Sequence, residues 1–115
     1  MLKLEPLLPE KTFKIIQHGN GDEPIFFEPE NRIYFQSLIE KHLLPICEIV
    51  SCQLSRNRIE IILKFRTEAE IPEKFKGKLY LPLSNTFNSY AKSINKRYDR
   101  KGSLFKHRFD RIEIF

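Results

Sequence analysis

The chain has no apolar run near the ~18 residues that a membrane-spanning helix needs, so no membrane-embedded architecture is expected. Its opening stretch MLKLEPLLPEK is broken by Glu5, Pro6 and Pro9 and does not read as a signal peptide, which gives a cytoplasmic expectation with no membrane partner. It has only two cysteines, Cys47 and Cys52, an odd number of residues apart in a strand-like run. That spacing places them on opposite faces as reduced thiols, with no chemistry assigned. The three histidines, His18, His42 and His107, are scattered and lack ligand spacing, and no glycine-rich phosphate loop or Ser/His/Asp arrangement occurs. There is no internal repeat, and 115 residues suit one domain over 1–115, with 1–11 as an N-terminal extension.

What the chain does have is a concentrated positive charge. Between Lys92 and Arg111 lie eight cations against Asp99 and Asp110, a local excess of +6, while the other 95 residues sum to −1. Tyr98, Phe105 and Phe109 are interleaved with these cations, a composition suited to phosphate contact combined with base stacking. The competing reading is a solvated helix end, because cations are favoured near a helix C-terminus by its dipole.

Hydrophobic periodicity orders the elements. Thr12–Ile16 reads as a short strand ending at the turn-forming HGNGDEP. EPENRIYFQSLIEKHL follows, with apolar residues at helical spacing, Pro29 near its start and Pro45 at its end. Ile46–Leu54 and the alternating run ending at Phe65 make an antiparallel hairpin around SRN. Residues 67–83 form an irregular crossing, and Ser84 is the expected N-cap of a second helix carrying Phe87, Tyr90, Ala91, Ile94 and Tyr98. HRFDRIEIF supplies a last strand. The order β-α-β-β-α-β predicts an α+β, ferredoxin-like fold, an antiparallel sheet with both helices on one face.

Read in order, Gln17-His18-Gly19, Ile25-Phe26-Phe27, FNSYAKSINKRY and above all RKGSLFKHRF resemble the REP-associated tyrosine transposases, a branch of the single-tyrosine HUH transposase superfamily. The resemblance covers residues 12–115, and its specific part is Phe87–Arg111. It implies single-stranded or hairpin DNA as partner, often a homodimer, and Mg²⁺ or Mn²⁺ as the cofactor. In the family two histidines, at i and i+2 of the second hairpin strand, bind the cation, and a helix tyrosine attacks the phosphate.

Here that motif falls on Arg56-Asn57-Arg58-Ile59-Glu60, with both histidines replaced. A carboxylate at Glu60 suits a hard cation, but the Arg58 guanidinium has no lone pair to give. Tyr90 matches the nucleophile position, though its apolar neighbours equally fit a core residue. Asn95 lies near the family's third ligand position. The resemblance therefore implies binding without metal-dependent cleavage, and no cofactor is expected. Two alternatives stand beside it: a residual enzyme nicking DNA through Tyr90, and a protein-association scaffold. The residues expected at the phosphates are Arg58, Lys96, Arg97, Arg100, Lys101, Lys106, His107 and Arg108.

Overall fold

The computed structural model describes residues 5–106 and 108–114. Its elements are β1 (Thr12–His18), α1 (Pro29–His42), β2 (Cys47–Ser55), β3 (Arg58–Phe65), α2 (Tyr80–Arg97) and β4 (Asp110–Ile114). The sheet order is β2-β3-β1-β4, and every neighbouring pair is antiparallel. Both helices cover one face, which is the ferredoxin-like arrangement expected from the element order. Among the described residues no helix is long and apolar enough to cross a membrane.

Alternation along β1 and β3 decides which face is covered. Phe13, Ile15, Ile59, Ile61, Leu63 and Phe65 are buried against Phe35, Leu38 and Ile39 of α1 and Leu83, Phe87, Tyr90 and Ile94 of α2. Successive strand residues point to opposite faces, so Arg58, Glu60, Ile62 and Lys64 look away from the helices. In α1, the Asn31 side-chain oxygen accepts from the backbone N–H groups of Phe27 (2.7 Å) and Glu28 (2.9 Å), tying the helix to the preceding turn. This satisfies donors at a helix N-terminus that have no partner within the helix.

Four expectations need correction. Strand β1 runs on to His18, because Gln17 still faces the helices and His18 pairs with Arg58. The register of β2 jumps between Ile49 and Ser51, leaving Val50 as a bulge that is 64% exposed. One inserted residue reverses the parity of everything after it. Cys47 and Cys52 consequently pair with Phe65 and Ile61 and share the core side, instead of facing apart.

The 67–83 crossing contains two single 3₁₀ turns, Glu68–Glu70 and Glu73–Phe75, and α2 already begins at Tyr80. Pro82 lies in the first helical turn, where its missing N–H would have found no helical partner anyway, so Ser84 is an interior residue and not the N-cap. In β4 the apolar residues face outward: Ile112 and Ile114 pair with Lys14 and Thr12 on the open side. Arg111, opposite Ile15, points to the helix side. That inversion places a guanidinium beside α2.

Candidate nucleic-acid interface

The hairpin end of the sheet carries Arg58 and Glu60, the pair that the sequence resemblance singled out. The Arg58 Nη2 donates to Glu60 Oε1 at 2.9 Å, the side chains being 46% and 21% exposed. Their spacing puts them side by side on the open face, with His18 across from Arg58. A metal does not fit these residues. Arg58 brings a fixed positive charge where a ligand lone pair is needed, and it occupies the Glu60 carboxylate. Among the described residues no three His, Cys, Asp or Glu side chains converge on a point. Asn95 is committed elsewhere: its nitrogen donates to the Gly102 carbonyl at 2.9 Å and its oxygen accepts from Arg100 Nη1 at 2.5 Å.

Tyr90 packs into the core. Its ring is fully buried, flanked by Phe26, Phe35, Tyr34 and Phe105. Its hydroxyl donates to the Ile25 carbonyl at 2.6 Å. Burial, and secondarily Tyr98, push its pKa well above the ordinary phenol value, with Arg32 opposing. A nucleophile needs an accessible oxygen and a group ready to take its proton. In this arrangement the Tyr90 oxygen is buried and its proton is given to a backbone carbonyl, so its hydroxyl anchors the turn before α1.

The cations after α2 divide into anchored and free ones. Arg100 is only 15% exposed, held by Glu23 at 3.1 Å and by Asn95, and its own N–H donates to the Asn95 carbonyl. Arg97 lies 3.6 Å from Glu28 and over the Tyr98 ring. Tyr98 stacks on Phe27 with centroids 4.6 Å apart, and its hydroxyl bonds to Glu28. Gly102 at φ +86° turns the chain back, a conformation in which a side chain would be strained. Lys96 and Lys101 are exposed and form no ion pair among the described residues. His107 lies outside the described residues.

Beyond Gly102 the chain lays a cleft of about 770 Å³ against α2. Lys106, Arg108 and Arg111 line it together with Gln17, Tyr80, Asn88 and Phe109, and no Asp or Glu does. None of the three cations makes an ion pair among the described residues. The Arg111 guanidinium lies 4.8 Å above the Phe109 ring, and its Nε is buried with no hydrogen-bond partner among the described residues. Burial, then repulsion from Arg108, hold Arg111 below the ordinary guanidinium pKa, although it remains a cation at neutral pH. Like charges gathered without an acid favour an anion between them.

The structure thus brings Lys106 and Arg108 to one cleft and holds Arg97 and Arg100 in internal contacts. It also corrects the stacking expectation for the interleaved aromatics. Phe109 is buried, Phe105 packs edge-on to Phe87, and Tyr98 is engaged with Phe27. Gln17, Tyr80, Asn88 and Arg111 were not anticipated as site residues. Only Arg111 had a sequence signal, as a member of the basic run. The others depend on how β1, α2 and the last loop meet.

No family model matches the chain, and no curated protein matches it in sequence. Among solved structures, it resembles a REP-associated tyrosine transposase bound to a REP hairpin, with a TM-score of 0.62 and 13% identity. The match covers 100% of this chain and 63% of that one, so the chain spans less than two thirds of its neighbour's length. What the two share is the fold.

Proposed function

We propose that this chain is a transposase-like DNA-binding domain that engages single-stranded or hairpin DNA without metal-dependent cleavage, acts in the cytoplasm and needs no cofactor. The observation that carries the reading is the cleft with three cations that, among the described residues, has no acid in its lining and no ion pair to those cations. Lys106 and Arg108 supply the phosphate contacts, with Arg111 deeper and Lys101 and Lys96 extending the positive surface. Arg58 attracts a phosphate from the open side of the sheet. The solved neighbour of the same fold has a REP hairpin bound, which supports DNA as the polyanion.

The replaced histidines, the Arg58–Glu60 ion pair and the buried Tyr90 hydroxyl support binding over cutting. A labelled hairpin incubated with the protein and Mg²⁺ or Mn²⁺ should form a retarded complex and no covalent adduct. An adduct that Tyr90→Phe abolishes would reverse the second half of the proposal, and no complex at low salt would reverse the first.

A further inference from the structure

The α2 cleft contains more than cations, and its other walls have no role in phosphate attraction. Gln17 sits on the helix side of β1 and is 5% exposed, yet it lines the cleft. Its oxygen accepts from the His18 N–H at 3.2 Å, and its carboxamide forms part of the cleft wall. At the mouth stands Tyr80, 46% exposed and without a ring partner among the described residues. The volume of about 770 Å³ falls in the range of small-molecule sites and exceeds what a bare phosphate needs.

We propose that this cleft is a subsite for one unpaired nucleotide of single-stranded DNA. Its phosphate lies among Lys106, Arg108 and Arg111, its base stacks on Tyr80, and the Gln17 carboxamide hydrogen-bonds the polar edge of the base. The inference rests on the DNA-binding reading and adds a requirement for a base out of the duplex. An exposed aromatic ring beside a cationic groove is the usual means of holding single strands. The Gln17 carboxamide can donate through its nitrogen and accept through its oxygen, so it can meet the polar edge of a base held on Tyr80.

Fluorescence anisotropy with a labelled oligothymidylate and an abasic strand of equal length and charge tests this directly. The wild-type chain should bind the base-bearing strand at least about fivefold more tightly, the lower end of one base's stacking contribution. Tyr80→Ala should remove that difference while leaving abasic binding unchanged, and Tyr80→Phe should restore it. Gln17→Met should shrink the difference, with a thermal melt confirming that the variant is folded. Lys106→Gln should weaken both strands alike. Ultraviolet irradiation of an iodouracil-substituted strand should crosslink at Tyr80. Equal binding of the two wild-type strands, or a difference that survives Tyr80→Ala, overturns the subsite and leaves DNA binding standing. Failure of both strands and of a hairpin to bind at low salt overturns the DNA reading itself.

Discussion

The Tyr90 hydroxyl reaches a carbonyl 65 positions away in sequence, and that bond sets what a substitution there does. Tyr90→Phe keeps the ring but strands the buried Ile25 carbonyl. It should destabilise the fold by about 1–3 kcal/mol in urea unfolding while leaving DNA affinity unchanged. Loss of DNA binding with intact stability would assign the hydroxyl a functional role instead. The same burial makes the molecule sensitive to alkali. Desolvation pushes Cys47 up from 9.0 to about 12, outweighing the opposite pull of Arg66. The unfolded thiol ionises first, so this contribution to stability is fully present below pH 9.0 and is lost as the pH rises toward about 12. A Cys47→Ala variant, weaker overall, should show a shallower alkaline decline in unfolding free energy. The Arg58–Glu60 pair was legible because strand alternation fixes which residues share a face. Tyr90 was not, because helical spacing alone does not distinguish the edge of an apolar stripe from its centre, and the deciding carbonyl comes from a distant turn.

At the scale of elements, local periodicity gave the strands and helices and missed what interrupts them. Strand β2 looked regular, yet the Val50 bulge turned Cys52 inward. A bulge is a decision of the paired strand, not of the residues that carry it. Helix α2 started four residues before Ser84 was read as its cap, since Pro82 looks like a breaker unless it falls in the first turn. The segment after α2 shows a second limit: charge was visible, and its internal use was not. Arg100 belongs to the basic run, and Glu23 and Asn95 hold it in place. Arg100→Ala should cost about 1.5–3 kcal/mol of stability, the range for hydrogen bonds to charged groups. It should leave the salt dependence of DNA binding unchanged. A flatter salt dependence with unaltered stability would mean that Arg100 contacts phosphate after all.

For the whole molecule, the fold could be read from element order, whereas the cleft could not. Its lining comes from β1, α2, the segment after Gly102 and β4, and only the packed arrangement shows that Lys106, Arg108 and Arg111 converge while Arg97 and Arg100 do not. That Arg58 and Glu60 stand where the resembled family has histidines was visible at once; that the positive charge gathers against α2 required the structure. The central claim is that this convergence binds a nucleic-acid backbone. Its most direct measurement is the affinity for a labelled single strand over about 50 to 200 mM salt, for the wild type and for Lys106→Gln/Arg108→Gln. Each single-strand phosphate contact contributes about 0.7 to the slope of log affinity against log salt, so the double variant should lose about 1.4 of it. A wild-type affinity indifferent to salt, or a slope unmoved by the double substitution, would contradict the account.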